Sequence, residues 1–354
     1  MIRVLVVEDT PVVREFLVHV LSSDPGVQVV GTAHNGEEAI EAVERHKPDV
    51  ITMDVHMPKL NGLEATRKIM ETRPTPIVIV SGSSNASEAA WIFEAMEAGA
   101  LAVAESPMGI GHPDHEATAA ALIQTVKLMS EVKVVRRWAR RRTEAVPASV
   151  PPPPEVRPLP AEVKLIAIGA STGGPPALHQ ILAGLNATLP VPVLIVQHIS
   201  PGFTEGFVEW LGQTSALPVQ VATHGQRIRA GHVYVAPDGY QMKAQREGRL
   251  SLTKDAPENG HRPSVSCLFR SVAEAFGEEA IGMLLSGMGK DGAAELKLMR
   301  DQGAITIAQD KESSVVHGMP GEAILMGAAT YVLAPDSIAA VLSSLLKPKR
   351  RVDP

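Results

Sequence analysis

Residues 2–21 read IRVLVVEDTPVVREFLVHVL, and their pattern sets the organisation of the chain. An apolar, β-branched run at Val4–Val7 ends on two acids, Glu8 and Asp9, and a segment of helical period follows. The alternation recurs, which predicts strands at Val27–Gly31, Val50–Met53, Ile77–Val80 and Leu101–Ala104, each followed by a helix. Short strands alternating with helices make a parallel sheet with crossover helices, here a five-strand α/β unit. Near-continuous apolar strands such as Ile77–Val80 are what a sheet covered on both faces requires.

After the fifth strand a helical segment from about Glu116 is expected to run on into Arg136, Arg137, Arg140, Arg141 and Arg142, a solvated helix end. The pattern then collapses into PASVPPPPEVRPLPAE, where consecutive prolines remove donors and fix φ, giving an extended spacer. From Lys164 the rhythm restarts, with strands expected at Leu165–Ile168, Val193–Gln197, Val233–Ala236, Ile281–Leu285 and Ala304–Ile307. The stretch 219–252 is richer in short strands and turns, and Arg246–Gly248 reads as a hairpin loop, so a small antiparallel insertion is expected there.

The 354 residues exceed the usual size of one hydrophobic core, so two domains are the natural expectation. A content of 45% hydrophobic and 20% charged residues is that of a globular protein. The net charge of −6 argues against a protein whose main partner is nucleic acid, which calls for a clustered basic surface. A single cysteine, Cys267, excludes an internal disulfide and fits a reducing cytoplasm. No run approaches the roughly 18 apolar residues of a membrane span, and the N-terminal apolar stretch is too short for a signal peptide, so a cytoplasmic protein without direct membrane insertion is expected.

In a doubly wound sheet of flavodoxin-like order the first and third strands are neighbours, and ligands sit at their carboxyl ends. Glu8 and Asp9 fall just past the first strand and Asp54 just past the third, so three carboxylates converge. Such a cluster is costly unless a cation neutralises it, and Mg²⁺, an oxygen-seeking ion that keeps waters and accepts a phosphate oxygen, fits best. Ser81 ends the fourth strand beside the same pocket, within reach of a phosphoryl group. Singly, each acid also reads as the cap of the helix after it.

The second half carries Gly169-Ala-Ser171-Thr172-Gly173-Gly174 between a strand and a helix. A G-x-S-x-G turn there exposes a serine hydroxyl and aims the following N–H groups at an oxyanion. The competing reading is a glycine-rich phosphate cradle, although the full dinucleotide spacing is absent. His198 ends the second strand of this half, and Asp291 lies in Ser286-Gly-Met-Gly-Lys-Asp291 after a later one, so all three side chains fall at the rim where parallel-sheet ligands bind. Asp291 also reads as the N-cap of a helix beginning near Ala293, and His224, His232, His261 and His317 compete as bases on spacing alone.

The run from Asp54 to Gly62, DVHMPKLNG, resembles the response-regulator receivers over roughly residues 1–128. That resemblance implies that Asp54 is the phospho-acceptor, that Glu8 and Asp9 bind Mg²⁺ with it, and that Ser81 is the switch hydroxyl. GASTGG, QHISPGFT, HRPSV and SGMGKDGA, in this order within 163–346, resemble the catalytic domain of the chemotaxis protein-glutamate methylesterases. The resemblance implies a nucleophilic Ser171, a general base His198 oriented by Asp291, an oxyanion donor in the Met288 N–H, and Thr172 as an adjacent helper. It implies no cofactor for the esterase. It implies hydrolysis of glutamyl methyl esters on methyl-accepting chemoreceptors, deamidation of glutamines at such sites, and a chemotaxis histidine kinase as phosphodonor.

The expected organisation is thus a flavodoxin-like (βα)5 receiver at 1–128, a basic and then proline-rich flexible linker at 129–162, a doubly wound parallel-sheet hydrolase at 163–346 and a tail at 347–354. Several positions depart from the family pattern. Ser106 stands where receivers carry a lysine before the proline, and Val103 where they carry a switch aromatic. Ile199-Ser200 replace Met-Pro after the histidine, and Ser266 replaces an aspartate after PSV; neither change is expected to touch the triad. The readings from other classes are a receiver fused to a DNA-binding or to a nucleotide-binding output module. Residues 163–346 are too long, too strand-rich and too weakly basic for the former.

Overall fold

Val4, Leu5, Val6 and Val7 are all buried, as a strand covered by helices on both faces requires. They belong to β1 (Ile2–Val7), the centre of a five-stranded sheet completed by β2 (Val27–Ala33), β3 (Val50–Met53), β4 (Ile77–Ser81) and β5 (Ala102–Glu105). The order β2-β1-β3-β4-β5 is parallel throughout, with helices after every strand. The chain reverses direction across the sheet between β1 and β3, so the crevice opens between their carboxyl ends.

The structure, a computed structural model, describes residues 1–82, 86–132, 134 and 162–346, with the backbone alone at 86–90. The chain divides into two compact units, Met1–Thr143 and Glu144–Pro354. The helix expected to continue into the arginines ends at Ser130, capped by the Glu131 N–H on the Leu128 and Met129 carbonyls. The arginines at 136–142, the proline-rich stretch and the tail at 347–354 lie outside the described residues.

The second unit is built on a seven-stranded parallel sheet of β6 (Leu165–Ala170), β7 (Val193–Gln197), β8 (Val219–Val221), β9 (Val233–Val235), β12 (Ala280–Leu284), β13 (Ile305–Gln309) and β14 (Tyr331–Leu333). Its order is β14-β13-β12-β6-β7-β9-β8. A separate antiparallel pair, β10 (Gln241–Gln245) and β11 (Arg249–Thr253), forms the expected hairpin with its loop at 246–248. The edge strands β8 and β14 were not legible as separate elements. Each has three residues, and none of the six is fully buried, so neither makes an apolar run.

The doubly wound switch point of this sheet falls between β6 and β12, the two strands that leave the centre in opposite directions. All six residues of β6 and all five of β12 are buried. The helix Val265–Phe276 lies against the same centre, with Val265, Leu268, Phe269 and Val272 fully buried in the core. Among the described residues no helix is long and apolar enough to cross a membrane.

Candidate active site and acidic pocket

The Gly169–Gly174 turn begins where β6 ends. Gly173 adopts φ +77°, and a Cβ on it would meet Val315 Cβ at 2.4 Å and Ser286 Oγ at 2.7 Å, so only glycine fits the tight turn. The helix Gly174–Ala183 starts at once, with prolines in the first turn, where their missing N–H costs nothing. Ser171 is therefore held half-buried on a sharp strand-to-helix corner. Its N–H donates to the Ser286 carbonyl at 3.0 Å, and its own carbonyl accepts from Gly174 N–H at 2.8 Å and from Gln197 Nε2 at 2.9 Å. The Gln197 amide also donates to the His198 carbonyl at 2.8 Å, so one buried side chain ties the serine turn to the end of β7.

The loop after β12 closes the other side. Gly287 approaches so near that a Cβ on it would lie 2.8 Å from Ser171 Cβ and 2.3 Å from Met319 Sδ. Its N–H donates to Val316 O, and its carbonyl accepts from Gly318 and Met319. With the loop pinned in this way, the N–H of the next residue, Met288, makes no hydrogen bond among the described residues. Thr172 sits half-buried at the same rim, its carbonyl accepting the Ser286 hydroxyl at 2.7 Å.

His198 and Asp291 are brought into direct contact, Nε2 to Oδ2 at 2.9 Å, with side chains 8% and 2% exposed. Asp291 is not the cap of the helix Ala293–Asp301, whose N-cap is Gly292. Its carboxylate instead lies at the N-terminus of the helix Val265–Phe276. It accepts the Val265 N–H at 2.7 Å on Oδ2, and on Oδ1 the Ser266 N–H at 3.1 Å, the Ser264 hydroxyl at 2.9 Å and the Asn259 amide at 2.9 Å. Burial by itself raises the Asp291 pKa, but the hydrogen bonds from His198, Ser266 and Asn259 outweigh it and hold the carboxyl far below its ordinary value. The ionised carboxylate has no proton to donate, so His198 Nε2 carries the hydrogen, which in the neutral ring makes Nδ1 the lone-pair nitrogen. Nδ1 is buried and has no hydrogen-bond partner.

The expectation that Ser266 would not touch the triad is corrected here. Its N–H donates to Asp291, and its hydroxyl accepts from Gly292 N–H at 2.9 Å and from Asn259 while donating to Glu295 at 2.6 Å. A small hydroxyl that both accepts and donates joins the Asp291 cradle to a carboxylate, Glu295, that is itself paired with Arg270. Neither Asn259 nor Ser264 was singled out in the sequence; Ser264 lies within the HRPSV run that leads into the helix, whereas no local pattern marks Asn259. Of the competing histidines, His224 is bonded to the Leu252 backbone and His232 to Ala230 O, while His317 contacts Ser314. His261 stacks face to face on His198.

In the first unit, Glu8, Asp9 and Asp54 each place a ligand oxygen within 4.8 Å of the others. Burial, then the charges of Asp54 and Asp9, push the Glu8 carboxyl up to about 7. Burial, with Asp9 adding, pushes Asp54 up to about 6 against the hydrogen bonds from the His56 and Val55 backbone. Three carboxylate oxygens gathered this closely fit a hard divalent cation such as Mg²⁺. Met53 pairs with Ile79, so Asp54 and the buried Ser81 leave neighbouring strands at one rim.

Comparison with known proteins places both units. A family model described as CheB methylesterase matches residues 166–342, and one described as response regulator receiver domain matches residues 4–109. A protein-glutamate methylesterase/protein-glutamine glutaminase of Nitrosospira multiformis is 62% identical over 348 residues, 98% of this chain and 97% of that one. A protein of the same description from Geobacter metallireducens is 56% identical over 350 residues, 99% and 100% of the two chains. The crystal structure of the Thermotoga maritima CheB methylesterase catalytic domain, 38% identical, superposes with a TM-score of 0.50 over 52% of this chain and 100% of that one.

Proposed function

The chain belongs to the CheB methylesterase family with a response-regulator receiver, and on that premise we propose that it is a phosphorylation-linked protein-glutamate methylesterase and protein-glutamine glutaminase. The observation that carries the reading is the buried His198–Asp291 hydrogen bond at the rim where the glycine turn presents Ser171. A phosphate cradle or a DNA-binding output has no use for a histidine oriented by a desolvated carboxylate. A serine hydrolase with a histidine base uses one to orient that base.

Ser171 Oγ attacks the carbonyl carbon of a receptor glutamyl methyl ester as its proton passes to His198 Nδ1. The tetrahedral oxyanion is met by the Met288 N–H, left free by the pinned Ser286–Gly287 backbone, with Thr172 beside it. The imidazolium is stabilised by Asp291, whose charge the N-terminus of the helix Val265–Phe276 has already accommodated. His198 returns its proton to the leaving oxygen, methanol departs, and a glutamyl ester of Ser171 remains. Water, deprotonated by the same nitrogen, then cleaves that ester to a free glutamate and restores the hydroxyl. With glutamine the leaving group is ammonia.

In the receiver, Glu8, Asp9 and Asp54 would hold Mg²⁺, which when bound neutralises the charge of a transferring phosphoryl group. Asp54 is the proposed acceptor and Ser81 the hydroxyl that bonds the product. The substrates are methyl-accepting chemoreceptors, and the phosphodonor is a chemotaxis histidine kinase. The test is methanol release from membranes bearing methyl-labelled chemoreceptors. It is expected to vanish in Ser171→Ala, and more than a tenth of wild-type release from the folded variant overturns the reading.

A further inference from the structure

His198 and His261 lie with ring centroids 3.7 Å apart and planes inclined by only 8°. The His198 side chain is buried and His261 is half-buried, held by its backbone. Its N–H and carbonyl exchange hydrogen bonds with Glu258 at 2.9 Å each, and its carbonyl also accepts from the buried Gln241 amide at 3.2 Å. The next residues, 262–266, continue into the helix N-terminus that cradles Asp291. One short segment, 258–266, thus supplies both the cradle for the carboxylate and a flat wall for the base.

We propose that His261 is a positioning residue for the esterase reaction, its imidazole face fixing the plane of the His198 ring, and with it the direction in which Nδ1 points, while Nε2 stays on Asp291. The inference deepens the esterase reading and rests on it. A single hydrogen bond at Nε2 fixes one point of the His198 ring but leaves rotation about that contact open. Nδ1 has no hydrogen bond to oppose such a rotation in the resting site. A parallel ring on one face removes the freedom by van der Waals contact, and near-attack geometry is what makes proton transfer from a serine hydroxyl fast. A neutral imidazole suits the role, because a cation in that place would oppose the imidazolium formed on His198. Burial pushes the His261 pKa below its ordinary value, and His198 beside it acts in the same direction while Asp291 opposes.

The experiment uses the full chain and compares His261→Ala, which removes the wall, with His261→Phe, which keeps a flat face without ring nitrogens. Two readouts are followed: kcat and KM for methanol release from methyl-labelled receptor membranes, and the downfield proton NMR signal of the His198–Asp291 hydrogen bond. His261→Ala is expected to lower kcat by about 10-fold to 100-fold with KM within about twofold, and to broaden or abolish the downfield signal. His261→Phe is expected to restore the signal and at least a third of the lost kcat. A His261→Ala variant with wild-type kcat and signal overturns the proposal. So does a His261→Phe variant as inactive as His261→Ala with the signal intact, because a ring nitrogen would then be meeting the substrate. Ser171→Ala run in parallel separates the two levels: if it stays active the esterase reading itself fails, and if it is dead while His261→Ala is normal only the stacking role does.

Discussion

His198 gives its Nε2 hydrogen to Asp291 Oδ2 at 2.9 Å, leaving Nδ1 as the buried nitrogen with a free lone pair. In the chymotrypsin arrangement it is Nδ1 that faces the acid. The acid sits at the N-terminus of a helix that begins 26 residues before it in the chain.

That orientation separates two otherwise similar substitutions. A glutamine amide reaches about as far as Nε2, whereas an asparagine amide reaches only to Nδ1. His198→Gln is expected to retain the contact with Asp291 and to melt near wild type. His198→Asn leaves the buried carboxylate one donor short and is expected to lose about 1.5–3 kcal/mol. Both should be catalytically dead. Equal melting of the two by calorimetry contradicts the assignment of the nitrogens.

Ser171 and His198 should behave as a unit. Ser171→Ala alone is expected to cost about 10³-fold to 10⁶-fold in kcat, and adding His198→Ala should cost little more. A double-mutant cycle on methanol release measures this. Losses that multiply independently remove His198 from the role of base.

Much of this site was legible before the structure, and the reason is periodicity. Strand ends fall where apolar runs stop, so Glu8, Asp9, Asp54, Ser171 and His198 could be put at sheet rims from the sequence. The Asp291 cradle was not legible in the same way. Ser264 is the N-cap before Val265, yet its side chain makes no cap hydrogen bond and a carboxylate from a remote loop takes the helix N–H groups instead. A substitution of that kind is a tertiary event and leaves no local pattern. Likewise His261 was one histidine among five on spacing, and only packing singles it out.

Asp291 gives a pH prediction. Its folded pKa lies below the ordinary 3.8, so ionisation favours the folded state. The contribution is fully present above about pH 5 and is lost as pH falls through the unfolded value toward the folded one. Asp291→Asn removes it and turns one acceptor into an NH₂ facing other donors, which should cost about 2–4 kcal/mol at neutral pH. The gap between wild type and variant, followed by urea unfolding, is expected to be constant above about pH 5 and to narrow below it. A gap that widens on acidification contradicts the cradle.

The receiver acids carry the opposite sign. Glu8 and Asp54 ionise at about 7 and about 6, above their ordinary values, so charging them opposes folding as pH rises through that range. In EDTA the first unit is expected to lose stability between pH 5 and pH 8, and Asp54→Asn should flatten the loss. Mg²⁺ should restore stability to wild type, by about 2.7 kcal/mol at one hundred times its dissociation constant, and much less to Asp54→Asn. Calorimetry of the full chain with EDTA and with Mg²⁺ measures both. Equal Mg²⁺ effects on the two proteins remove Asp54 from the metal site.

Phosphorylation is expected to proceed but to control the esterase weakly. Glu8, Asp9 and Asp54 retain the acids that the acceptor chemistry needs. What differs is the response to the product. A lysine paired with the phosphoryl oxygens stabilises the switched state by a charge-assisted hydrogen bond, and here the position is Ser106, whose N–H is engaged with the Ser81 carbonyl at 2.8 Å. A serine hydroxyl is too short and uncharged to replace that pull. The second element of the switch is also changed, since half-buried Val103 has no ring to turn inward. Coupling free energies are typically about 1–3 kcal/mol, so losing most of one leaves activation below a few-fold. Asp54→Ala should therefore abolish labelling by a small phosphodonor yet change basal methanol release only modestly. The comparison is the full chain with and without phosphodonor and Mg²⁺, beside a fragment beginning at Glu162. Activation of tenfold or more that depends on Asp54 would show that this receiver couples to its esterase by a route that does not use the lysine.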